Sequence, residues 1–156
     1  MENDNPPSNI ENCSCPKLKK EQCPLDRRCL DKNIIYQAIV HNTTENKKET
    51  YIGLTANAFK DRLSTHKQSF KNRNVNQTTL SNHVWELKDK GVNFDIQYKI
   101  LDRGKPYAAS YKNCSLCIKE KTWIITEPLM ATLNKRNELT SKCRHRDKFL
   151  LCNYKI

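Results

Sequence analysis

The sequence predicts an α+β fold: a small three-stranded antiparallel sheet flanked by helices, with an N-terminal cysteine-rich knuckle. Three observations lead there. Two β-branched and aromatic stretches, "NIIYQAIVHN" (33–42) and "ETYIGL" (49–54), are separated by the short polar turn "TTENKK", the pattern of a hairpin. Two amphipathic helical stretches follow. Then "NFDIQYKIL" (93–101) alternates Phe94, Ile96, Tyr98 and Ile100 with polar residues, the period of a half-buried strand.

Taken in order, residues 1–12 are rich in Asn, Pro and Glu, a composition that cannot bury a core and reads as a disordered tail. Residues 13–32 hold four cysteines among Lys, Arg and Pro and read as an irregular knuckle. We divide the chain into a cysteine-containing tail over 1–22 and a domain over 23–154. "NAFKDRLSTHKQSFK" (57–71) places Phe59, Leu63 and Phe70 near helical spacing, with Asn57 as N-cap. "TLSNHVWELKDKG" (79–91) puts Leu80, Val84 and Leu87 on one face, and Gly91 suits its C-terminal stop. After a loop containing Gly104 and Pro106, "CSLCIKEKTWIIT" (114–126) reads as a third helix ending before Pro128, and "MATLNKRNELTSKC" (130–143) as a fourth.

The 156 residues suit one domain, and the net charge of +11 is a statement about partners. Neutralising phosphates releases counterions, so nucleic acid is the expected partner. No apolar run approaches the ~20 residues of a membrane span, and the acidic, polar start is not a signal peptide. The chain therefore reads as intracellular, where thiols stay reduced, and its eight cysteines point to metal rather than disulfides.

Tyr36 at the first strand, "YIG" at Tyr51–Gly53, Arg62, His66 one helical turn on, Glu120 on the helix after the third strand, and Asn134 form an ordered set. This set resembles the GIY-YIG nuclease domain. The first motif here is Ile34-Ile35-Tyr36 rather than Gly-Ile-Tyr. The segments "CPLDRRCL", "YIGLT", "FKDRLSTHKQSF", "WELKDKG", "CSLCIKEK", "LNKRNEL" and "SKCRHRDKFLL" are similar to the endonuclease domain of Penelope-like retroelements, over residues 23–154. There the domain follows a reverse transcriptase, so the resemblance implies an excised domain or a stand-alone descendant, in the nucleus. Its partners would be DNA and, for a fragment, the reverse transcriptase domain or its RNA.

The resemblance implies a metal-dependent DNA endonuclease, a nicking one, as in target cleavage for retroelement insertion. It also implies the roles. Tyr36 takes the proton from the attacking water, a task its ordinary pKa near 10 makes hard unaided. Tyr51 bonds the phosphate or the water. Arg62 holds the scissile phosphate through paired N–H groups. His66 relays the proton or orients Tyr36. Glu120 binds Mg²⁺ or Mn²⁺, and Asn134 bonds the phosphate or a metal-bound water. Glu86 competes with Glu120 but precedes the third strand. The plainer accounts of Glu120 are a helix-surface glutamate between two lysines, or a simple partner for a lysine. Gly53 implies either close approach of its backbone to substrate or a turn needing positive φ. The alternative is a catalytically silent, zinc-containing nucleic-acid-binding module.

Cys114-x-x-Cys117 has zinc-ligand spacing. In an antiparallel sheet whose first strand is central, the third strand ends beside the start of the first. That would bring Cys114 and Cys117 to Cys23 and Cys29 as a structural Cys₄ zinc site. The rival set is Cys114, Cys117, Cys143 and His145, and the competing account is buried apolar thiols without metal. DNA contacts are expected from Lys60, Lys67, Lys71 and Arg73, and from Arg144 and Arg146 in "KCRHRDK".

Overall fold

The computed structural model describes residues 11–16, 23–106, 108 and 114–134. Its elements are β1 (Ile34–Asn42), β2 (Lys47–Thr55), α1 (Phe59–Lys71), α2 (Thr79–Asp89), β3 (Phe94–Arg103), α3 (Ser115–Thr126) and a 3₁₀ turn over Pro128–Met130. The sheet is antiparallel in the order β2-β1-β3. The fold is α+β, as the periodicities predict. Among the described residues no helix is long and apolar enough to cross a membrane.

β1 is central and therefore buried on both faces, which explains its near-continuous apolar run. Alternate residues feed two separate cores. Ile34, Tyr36, Ala38 and Val40 join Tyr51 and face Phe59 and Leu63 of α1 and Leu80 and Leu87 of α2. Ile35, with Ile52 and Leu54 of β2, faces Leu116, Cys117 and Ile124 of α3. The β1–β3 register slips between Ile35 and Tyr36, passing from Asp102 to Ile100 and leaving Leu101 without an opposite residue. Such a bulge bends a ladder and re-aims the side chains beside it, and here the residue beside it is Tyr36.

α1 keeps Phe59, Leu63, His66 and Ser69 inside, so His66 occupies a core position in the stripe. Its N-cap is Ala58 rather than Asn57, and no side chain caps it. α2 starts at a reciprocal capping box between Thr78 and Ser81, and Gly91 ends it at φ +67. The fourth helix is corrected at its start. Pro128 and the two residues after it form a 3₁₀ turn, and Ala131 to Asn134 run along the free edge of β2. Thr50 N–H donates to Thr132 Oγ1 at 2.8 Å, and Leu133 N–H donates to Thr50 O at 2.8 Å. The edge strand's polar groups, not helix propensity, decide that segment. Residues 135–143 lie outside the described residues.

The tail also reaches further into the domain than the division at 22/23 implies. Asn12 N–H donates to Arg27 O at 2.9 Å, and Leu30 N–H donates to Asn12 O at 3.0 Å. Residues 11–16 thereby join the knuckle.

Candidate active site and cysteine cluster

Register brings the first part of the site together. Tyr36 stands opposite Gly53, and Ala38 opposite Tyr51, so both tyrosines leave the same face of the sheet. The Tyr36 ring lies across Gly53: a Cβ there would stand 2.5 Å from the tyrosine hydroxyl and 3.0 Å from the Tyr51 ring. This gives the glycine a reason within the fold itself. It is the passage of the Tyr36 ring, not a positive φ, since Gly91 is the glycine with positive φ.

α1 supplies the next two groups. Arg62 Nε donates to Tyr36 Oη at 3.2 Å, and Tyr36 Oη lies 2.7 Å from His66 Nε2. The His66 ring meets Tyr36 and Tyr51 edge-on and stacks on Phe70. Burial, aided by the Arg62 charge, pulls the His66 pKa down to about 3. The imidazole is thus neutral near pH 7. With Arg62 as a fixed donor, Tyr36 must donate its own proton, and His66 Nε2 accepts it. The three groups form a directed chain from Arg62 through Tyr36 to His66.

Burial raises the Tyr36 pKa far above its ordinary value, and the Tyr51 and Glu120 charges add to the effect. Arg62 acts in the opposite sense but is outweighed. Burial also works against the Arg62 charge, yet its contacts with Tyr36 and Tyr51 more than compensate. Tyr36 and Tyr51 are enclosed, while Arg62 is only partly buried.

Glu120 projects from α3 and is 5% exposed, so the reading as a surface glutamate is excluded. Its neighbour Lys119 is engaged elsewhere, donating to Asp102 Oδ1 at 3.1 Å. Glu86 lies exposed on α2, 3.8 Å from His83. Asn134 is placed differently from the role the resemblance gives it. Its Oδ1 accepts from Ile52 N–H at 2.8 Å and its Nδ2 donates to Ile52 O at 2.9 Å. Both ends of the amide hold the backbone of β2, between Tyr51 and Gly53.

The basic residues divide. Lys60, Lys67 and Lys71 are exposed along α1. Arg73 is held against α2 by Asp89 at 2.6 Å and by the Trp85 ring at 4.9 Å. Arg144 and Arg146 lie outside the described residues.

The cysteine grouping is corrected. Among the described residues Cys13, Cys15, Cys23 and Cys29 have their sulfurs within 4.8 Å of one another, a set that could hold a metal such as zinc. Cys114 and Cys117 do not join Cys23 and Cys29. The premise about strand ends holds, since Ile34 pairs with Arg103, but the sheet stands between the pairs. Leu25 of the knuckle packs with Tyr36 and Phe59, whereas Cys114 and Cys117 pack with Ile35, Ile52 and Leu54. The rival ligands Cys143 and His145 lie outside the described residues. Within the cluster, burial raises Cys13 but the Cys15 amide and the neighbouring thiols outweigh it, bringing it to about 7, while the bond with Cys13 pushes Cys15 up to about 12. The sequence signal for this set is the closely spaced Cys13-x-Cys15 pair ahead of the wider Cys23 and Cys29 pair.

No protein-family model matches the chain, and neither a curated protein nor a solved structure does.

Proposed function

We propose that the chain is a metal-dependent DNA endonuclease that nicks one strand. The observation carrying this reading is the Arg62–Tyr36–His66 chain, in which one buried hydroxyl accepts from a guanidinium at 3.2 Å and lies 2.7 Å from a neutral imidazole. The hydroxyl meets a cation that donates to it and a neutral imidazole able to accept its proton. Phosphodiester hydrolysis requires a proton to leave the attacking water and negative charge to be held on the phosphorane.

The chain supplies both. Arg62 binds a non-bridging phosphate oxygen with its remaining N–H groups. Tyr36 would pass its proton to His66 Nε2 as it takes one from water; burial disfavours both the tyrosinate and the imidazolium, so the step would draw on a bound metal ion that acidifies the attacking water. Tyr51, beside Arg62, bonds the phosphate. Glu120, the carboxylate whose charge acts on Tyr36, fits a hard cation and would hold Mg²⁺ or Mn²⁺. When bound, such an ion offsets charge on the leaving oxygen. A metal at the four cysteines would be structural, since four thiolates leave no open position. The substrate class suits retroelement insertion, with DNA bound through exposed Lys and Arg and a reverse transcriptase domain or its RNA as further partner.

The test is nicking of supercoiled plasmid with Mg²⁺ or Mn²⁺. The native protein should nick, and folded Tyr36→Phe and Glu120→Gln variants should lose at least ~10²-fold of the rate. DNA binding without nicking by the native protein would replace this reading with the binding module.

A further inference from the structure

We propose that Cys13, Cys15, Cys23 and Cys29 are the four ligands of a Zn²⁺ site, and that the loops this metal ties together form the N-terminal cap of the helix bearing Arg62 and His66. The sulfur geometry is that of one coordination shell. Cys13 Sγ lies 3.4 Å from both Cys23 Sγ and Cys29 Sγ, and Cys15 Sγ lies 3.8 Å from Cys29 Sγ. A tetrahedron with Zn–S bonds of ~2.3 Å has S–S edges of ~3.8 Å. A disulfide would need ~2.05 Å.

The surrounding backbone is arranged for anionic sulfur. Cys15 N–H donates to Cys13 Sγ at 3.2 Å, and Arg27 N–H donates to Cys23 Sγ at 3.1 Å. The second bond requires a left-handed bend, with φ of 47 at Asp26 and 68 at Arg27. Residues with side chains adopt such angles at a cost, and here the bend aims an amide at a sulfur. Amides donating to thiolates orient them and temper their charge. The Arg27 guanidinium then bonds Cys15 O at 3.1 Å, closing the two halves of the knuckle on each other.

The connection to α1 is direct. The helix has no side-chain cap, and its first amides are satisfied by the knuckle instead. Phe59 N–H donates to Asp31 O at 3.0 Å, and Lys60 N–H donates to Cys29 O at 2.8 Å. One ligand residue therefore offers sulfur to the metal and its carbonyl to the helix. Lys60 Nζ adds a bond to Ser14 Oγ at 2.8 Å, between Cys13 and Cys15. Asp31 is fixed by Asn12, Arg28 and Arg103 at 3.0, 2.8 and 2.7 Å. Arg62 follows two residues after Lys60, and His66 one turn later. The metal site stands independently of the nuclease reading; only its consequence for Arg62 and His66 rests on that reading.

The experiment uses the full chain, dialysed against EDTA, with zinc measured by elemental analysis and amide exchange followed by NMR. Cys15→Ala should carry one equivalent of zinc less than the native chain, and Cys15→His should keep it. On Co²⁺ loading, Cys15→His should shift the d–d bands as one thiolate gives way to imidazole. Metal loss should reduce protection of the Phe59 and Lys60 amides at least tenfold and leave Ile124 in α3 unchanged. Equal zinc in Cys15→Ala and native protein, an unshifted cobalt spectrum in Cys15→His, or unaltered exchange at Phe59 and Lys60 would each overturn the proposal. None of these readouts depends on nicking.

Discussion

His66 shows what burial does to a single side chain. It is 1% exposed, and burial followed by the Arg62 charge holds its pKa near 3 against an ordinary 6.5. Between those values an unfolded chain binds a proton that the folded chain refuses, so acid favours unfolding. The stability owed to neutral His66 is complete above about pH 6.5 and declines as pH falls toward 3, by up to ~1.4 kcal/mol per pH unit. Asp31 and Asp102 remain ionised to below 3.8 because their bonds to Arg28 and Trp123 outweigh burial, so their losses come later. Urea titrations should therefore show a shallower stability profile between about pH 6 and 4.5 for His66→Gln than for the native protein. Equal slopes would assign the acid sensitivity to other groups. His66 was legible in the sequence as a functional candidate because it follows Arg62 by one helical turn. That it also completes the apolar stripe was not legible, because a histidine at such a position serves the surface as readily as the core.

At the scale of elements, strands and helices were readable wherever one periodicity dominated. β3 alternates, α2 repeats Leu80, Val84 and Leu87 on one face, and the structure follows both. Ends were readable only where the capping residue acts locally. Gly91 was found; the box at Thr78 was missed because Ser81 stands where Glu or Gln is usual. Asn57 is the local candidate for capping α1, but the first amides bond to residues 29 and 31 of the knuckle instead, partners that no local pattern reveals. The segment after α3 is the plainest tertiary override. Asn134 closes the edge of β2 with two bonds to Ile52. Asn134→Ala leaves both backbone groups without these partners and should cost ~1–3 kcal/mol, read as a lower urea midpoint, with activity falling alongside. A loss of nicking at unchanged stability would restore the phosphate-contact role instead.

For the whole molecule the governing quantity is charge, +11 over 156 residues. Affinity for DNA should fall by ~10³-fold or more between about 50 and 200 mM salt if Lys60, Lys67, Lys71, Arg73, Arg144 and Arg146 each meet a phosphate. Titration by fluorescence anisotropy measures the slope, and a flat one would remove the electrostatic interface. Arg73→Ala should change that slope less than Lys67→Ala, because Arg73 is already held by Asp89 and Trp85.

The opposition of Tyr36 and Gly53 across the hairpin has a consequence for descent. The ring occupies the space a Cβ at residue 53 would need, so a substitution at either position constrains the other. While the tyrosine stays, the glycine is confined to itself; once the tyrosine shrinks, residue 53 is released. That constraint comes from packing alone and holds whether or not the chain cuts DNA.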